Sequence, residues 1–199
     1  MFIGETIRAI IFDLDGTLYH LEVDWPNLSY SLQQEGFVDQ DLDSQLRAVS
    51  AAGREDLVEL AKRFELEGVQ RGQPVAGAQE LLTNLDPNLR LGLFTRNFRR
   101  TASDALARLG VRRPIAVRAR EDVNRSKPHP EGLSTLLTEL AVEPQFALAV
   151  GDSYHDVQAS KAAGIKVAVV HNPRLKFSPE GADFYISSLL ELPTLLEEN

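Results

Sequence analysis

Residues 10–19 read IIFDLDGTLY, an apolar run that ends in two aspartates one residue apart, followed by a glycine, a threonine and a leucine. Strand side chains alternate with period two, so Asp13 and Asp15 leave the end of such a run pointing the same way. Carboxylates this close repel unless a cation lies between them or one keeps a proton. Gly16 permits a tight turn, and Thr17 can cap it or offer a hydroxyl. An Asp-rich turn after a buried strand has the same look, so other groups must decide between the two readings. LGLFTRN places Thr95 at the end of a second apolar run, with Arg96 and Asn97 behind it. RSKPHP places Lys127 after a third, and FALAVGDSYHD places Asp152 and Asp156 after a fourth. Taken singly, each is equally well a solvated loop residue or part of a turn leading into a helix cap.

What makes the set informative is the element pattern that carries it. Short aliphatic or β-branched runs at 7–12, 89–94, 115–117, 146–150, 166–170 and, more weakly, 183–186 alternate with amphipathic stretches at 78–85, 101–109 and 131–140. That alternation predicts an α/β fold with a doubly wound parallel sheet covered on both faces. In such sheets ligands bind outside the carboxyl ends of the strands where strand order reverses, which is where these polar groups fall. The stretch 20–72 breaks the rhythm. It has no convincing strand, and Leu42, Leu46 and Val49, then Leu57, Leu60 and Phe64, recur at helical spacings. An all-helical insert over 20–72 is therefore expected inside a core made of 1–19 and 73–199, with Pro74 and Gly77 marking the return.

Composition narrows the function classes. The 199 residues are 43% hydrophobic and 25% charged, enough for one substantial core plus a small insert. A net charge of −8 works against nucleic acid or anionic membrane as a partner, since both are polyanions. With no cysteine, thiol catalysis, disulfides and thiolate zinc sites are excluded, so a metal would sit on oxygen or imidazole. His129 and His155 read as loop and helix-start residues, and no histidine pair has a metal-ligand spacing. The first thirteen residues hold too short an apolar stretch for a signal h-region, and no window nears a membrane span, so a cytoplasmic protein is expected, as monomer or weak homodimer.

DLDGTL, LFTRN, KPHP and GDSYHD, in this order, resemble the four motifs of the haloacid dehalogenase superfamily of phosphotransferases. The helical insert between the first two motifs is similar to the small cap of the subgroup that includes phosphoglycolate phosphatase-like enzymes and β-phosphoglucomutase. The resemblance implies that Asp13 is the nucleophile and forms an aspartyl-phosphate, and that Asp15 is the general acid and then base. It implies Mg²⁺ held by the Asp13 side chain, the Asp15 backbone carbonyl and the Asp152 carboxylate, with Asp156 supporting the metal's water shell. Lys127 fits the nucleophile and phosphoryl oxygens, and Thr95 a hydroxyl donor to the phosphoryl group. Arg96 and Asn97 are placed for substrate contact, and the backbone amides after Asp13 for an anion cradle.

Receiver domains of two-component signalling share this toolkit, but their acidic pair and acceptor precede the Thr and Lys, and here a second acidic pair follows the lysine. Asp15 speaks against carbon–halogen cleavage, which has no alkoxide to protonate. The expected function is a Mg²⁺-dependent phosphatase acting on a small phosphorylated metabolite such as phosphoglycolate, a sugar phosphate or a nucleotide. A phosphomutase and a noncatalytic phosphate-binding protein are the alternatives. Tyr19, His20 and Arg54 are expected near substrate, whereas Trp25 reads as core of the insert.

Overall fold

AIIF at Ala9–Phe12 (β1) is buried throughout, so this strand needs neighbours on both edges and cover on both faces. The structure, a computed structural model, describes residues 7–39 and 41–197. After β1 come β2 (Tyr19–His20), helices α1 (Trp25–Gln34), α2 (Leu42–Ala51) and α3 (Glu55–Arg71), and β3 (Gln73–Pro74). The chain then alternates through α4 (Ala78–Asn84), β4 (Arg90–Phe94), α5 (Arg99–Arg108), β5 (Ala116–Arg118), α6 (Glu131–Leu140), β6 (Ala147–Gly151), α7 (Tyr154–Ala162), β7 (Lys166–Val170), β8 (Phe184–Ile186) and α8 (Leu192–Glu197). Six strands form one sheet in the order β5-β4-β1-β6-β7-β8. Every pairing in it is parallel, with Ile11 opposite Gly92 on one side and Ala149 on the other.

This is the doubly wound α/β sheet expected from the alternation. Strands β4 and β5 are laid down on one side of β1, then β6, β7 and β8 on the other, so strand order reverses beside β1. The carboxyl ends of β1 and β6 open on that switch point. On one face Ala9, Ile11 and Phe94 share an apolar cluster with Leu133 and Leu136 of α6 and with Val157 and Ala159 of α7. Strand 166–170 and helix 131–140 stand where the pattern puts them, and the other strands of the sheet are shorter than, or offset from, the expected runs by one or two residues.

By its internal contacts the chain divides into two compact units, one holding the chain up to His20 and from Pro74 onward, the other Leu21–Gln73. The second is built from α1, α2 and α3. Its first helix is capped by Asp24, which accepts from the Asn27 amide at 3.1 Å, and its second by Asp41, which accepts from the Ser44 amide at 3.0 Å. Leu28, Leu32, Leu46, Val49, Leu57 and Ala61 are buried. Trp25, read as core, is only half-buried at the start of α1. The buried stripe of α3 also departs from expectation, running through Leu57, Val58, Ala61, Glu65, Gly68 and Val69 while Leu60 and Phe64 flank it half-exposed. Gly68 explains part of the shift: a Cβ there would lie 2.3 Å from the Val23 side chain, so this face accepts the backbone at close range where a larger side chain could not fit.

Candidate active site

The end of β1 delivers Asp13, whose amide donates to the Val150 carbonyl at 2.9 Å and so ties it to the end of β6. Lys127, buried in the loop before α6, donates to Asp13 Oδ1 and, at 2.6 Å, to Asp156 Oδ1. Its Nζ also stands 5.2 Å from the centre of the Phe94 ring. Asp156 is the third residue of α7 and belongs to a capping box: Ser153 donates to its Oδ2 through the amide at 3.0 Å and the hydroxyl at 2.5 Å. Asp152 follows β6 directly and accepts at Oδ2 from Asn172 Nδ2 at 2.6 Å. Asp13 and Asp152 thus stand together because two adjacent parallel strands end at one crevice, and Lys127, 114 residues from Asp13, reaches it from the loop before α6.

Glycines make the crowding possible. Gly16 has φ +85°, and a Cβ there would fall 2.2 Å from Asp152 Oδ2. At Gly151 a Cβ would fall 2.4 Å from the Asp156 carboxyl carbon. Any side chain at either position would displace a carboxylate of the cluster.

Electrostatics follow from this burial. Desolvation pushes the Asp13 carboxyl up to about 6 despite the Lys127 ammonium beside it. Asp152 is pushed up to about 7, first by burial and then by the neighbouring charges of Asp13 and Asp156. For Asp156 burial works the same way, but Lys127 and the Ser153 donors outweigh it and hold the carboxyl below its ordinary range. Burial would lower Lys127, yet the two carboxylates keep it raised and therefore charged. Asp13, Asp152 and Asp156 each offer an oxygen, all within 4.8 Å of one another. Three hard oxygen donors around a single lysine carry excess negative charge, and that donor set fits a small divalent cation such as Mg²⁺. The carboxylate of Asp15 lies outside that cluster, which is compatible with a ligand role through its backbone carbonyl.

The loop after β4 is arranged differently. Thr95 is buried, donates its hydroxyl to Asn97 Oδ1 at 2.8 Å and accepts from the Asn97 amide at 3.1 Å. Asn97 is buried as well, and its carbonyl accepts from the Arg120 amide at 3.0 Å. Arg96 between them is half-exposed.

One expectation needs correction. Tyr19 is 1% exposed and part of the core, so it does not face a substrate. Arg54, expected near substrate, pairs with Asp56 and Glu35 of its own unit. Of the amides after Asp13 expected to form an anion cradle, those of Gly16, Thr17, Leu18 and Tyr19 donate to carbonyls within the turn. Sequence reading also missed Asn172 and the Phe94 ring. The available signal for Asn172 was its place just past the fifth apolar run, at the same sheet end as the four motifs.

Comparison with known proteins agrees with this fold. The model of the family described as haloacid dehalogenase-like hydrolase matches residues 10–170. The pyrophosphatase PpaX of Bacillus pumilus (strain SAFR-032) is 30% identical over 183 residues, 83% of each chain. Validoxylamine A 7'-phosphate phosphatase of Streptomyces hygroscopicus subsp. limoneus is 34% identical over 177 residues, 79% of this chain and 83% of that one. Among solved structures, a hydrolase from Pseudomonas syringae superposes with a TM-score of 0.74 at 23% identity, covering 96% of this chain and 98% of the other.

Proposed function

The chain belongs to the haloacid dehalogenase-like hydrolase family, and from that premise we propose that it is a Mg²⁺-dependent phosphatase of small phosphomonoesters working through an aspartyl-phosphate on Asp13. The observation that carries the reading is the buried Lys127 bridging Asp13 and Asp156 beside Asp152, at the switch point of the sheet.

Phosphoryl transfer asks for little covalent chemistry from a protein and a great deal of positioning. An Asp13 carboxylate oxygen attacks phosphorus, the P–O bond to the leaving group breaks, and Asp15 gives its proton to the departing alkoxide. Asp15, now a base, takes a proton from water. The resulting hydroxide attacks phosphorus and breaks its bond to Asp13, releasing inorganic phosphate and restoring both carboxyls. Lys127, kept charged by its two partners, faces the negative charge that builds on the phosphoryl oxygens. Thr95 serves the same oxygens once its hydroxyl turns off Asn97, and Arg96 and Asn97 border that position. Asp13, Asp152 and the Asp15 carbonyl would hold Mg²⁺, with Asp156 supporting its water shell, and the ion when bound would supply neutralisation of the phosphoryl oxygens.

The names of relatives guide the choice of substrates. One at 34% identity is named as a validoxylamine A 7'-phosphate phosphatase and one at 30% as a pyrophosphatase, so inorganic pyrophosphate belongs beside phosphoglycolate, sugar phosphates and nucleotides. The test is phosphate release from such a panel with Mg²⁺ or with EDTA, Asp13→Asn protein serving as blank. Metal-dependent release from one or a few compounds, absent in the variant, is expected. Silence with phosphate retained on the protein would mark a mutase, and silence without it a binding protein.

A further inference from the structure

We infer that Asn172 is a positioning residue that fixes the Asp152 carboxylate for the cation, an inference that rests on the metal-dependent reading above. Strand β7 ends at Val170, and the next amide, that of His171, donates to the Ile186 carbonyl of β8 at 2.9 Å. Asn172 is therefore set at the carboxyl edge of the sheet and is 8% exposed. Its Nδ2 donates to Asp152 Oδ2 at 2.6 Å, while its Oδ1 accepts from the Arg174 amide at 2.9 Å and its carbonyl from the Leu175 amide at 3.1 Å. The side-chain amide cannot flip. Reversed, its oxygen would face a carboxylate oxygen and its NH₂ would face an N–H.

The pair is also clamped from below. A Cβ on Gly16 would fall 2.6 Å from Asn172 Nδ2 as well as 2.2 Å from Asp152 Oδ2, so both groups rest on the turn that carries Asp13 and Asp15. Three strand ends are thereby fixed to one another, those of β1, β6 and β7. Lys127 serves Asp13 and Asp156 but makes no ion pair with Asp152. The donor that Asp152 has instead is neutral. A lysine or arginine at this place would cancel the charge a cation needs, whereas an amide orients the carboxylate through Oδ2 and leaves its full charge on the centre.

The test titrates Mg²⁺ at pH 8 into the metal-free full chain and reads the rise in melting temperature, with parent, Asn172→Ala and Asn172→Ser proteins side by side. A serine hydroxyl can still accept from the Arg174 amide and keep the turn, but it is too short to donate to Asp152. That substitution separates the turn from the carboxylate contact, and it keeps the test informative if the alanine protein fails to fold. In both folded variants the half-saturating Mg²⁺ concentration should rise about tenfold. The Mg²⁺ concentration for half-maximal phosphate release should rise in parallel, with turnover at saturating Mg²⁺ near the parent value. A serine variant that folds and takes up Mg²⁺ at the parent concentration would overturn the inference. A parent that shows no response to Mg²⁺ would instead overturn the metal reading, and this inference with it.

Discussion

A single cation set between two carboxylates occurs in each unit of this chain. In the helical unit Arg54 donates to Asp56 at 2.7 Å and to Glu35 at 3.0 Å. In the sheet unit Lys127 donates to Asp13 and Asp156. The stoichiometry is the same and the surroundings are opposite. The side chains of the Arg54 cluster are 35%, 61% and 48% exposed, those of the Lys127 cluster 5%, 12% and 7%. Water already solvates the first trio, so its members keep their charges whether or not they touch. In the second, desolvation is the largest influence on every member, and each ion depends on the others to remain charged. Only such a set can present a carboxylate and an ammonium with fixed geometry to a phosphoryl group, and the same dependence makes it fragile.

That difference can be broken at its buried end first. Lys127→Met leaves two buried carboxylates without their cation, and stability in urea should fall by about 3 kcal/mol. Phosphate release should fall by at least about a hundredfold with it. An unchanged urea midpoint would mean that the buried trio holds the fold no better than the exposed one.

Acidity sharpens the contrast next. Asp13 near 6 and Asp152 near 7 bind protons in the folded chain that the unfolded chain, with carboxyls near 3.8, has already released. Where the folded state binds more protons, stability declines as pH rises. Metal-free protein should therefore lose stability between about pH 4 and pH 7. Mg²⁺, which binds the deprotonated carboxylates, should raise the melting temperature more at pH 8 than at pH 5.5. Equal Mg²⁺ shifts at the two pH values would contradict the placement of these carboxyls at a cation site.

The exposed trio marks the small end of the scale. Arg54→Ala should leave the urea midpoint and the rate of phosphate release at the parent values, in low and in high salt. A loss of turnover without loss of stability would give Arg54 the substrate contact that its position in the insert first suggested.

Much of this was written in the chain in a form that local reading can recover. The aliphatic runs before Asp13, Thr95, Lys127 and Asp152 identify strands, and parallel strands leave only one end of the sheet for the residues that follow them. What the runs cannot tell is which neighbours meet at that end. The Lys127–Asp156 bridge and the Asn172–Asp152 contact depend on strand order and on the space vacated by Gly16 and Gly151, both properties of the assembled sheet. In the helical unit the apolar spacing pointed to Leu60 and Phe64, while the buried stripe takes in Glu65 and Gly68, which no hydrophobicity count would select. Tyr19 misled for a related reason: a tyrosine beside a catalytic-looking motif is equally a core residue, and only packing decides.

The most direct test of the account is to mix the protein with Mg²⁺ and the best substrate of the panel, quench in acid during turnover, and weigh the peptide that carries Asp13. The account predicts a fraction of that peptide heavier by one phosphoryl group, on Asp13 and absent from Asp13→Asn protein. A fully active enzyme whose Asp13 peptide never gains that mass under rapid quenching, or gains it on another residue, would contradict it.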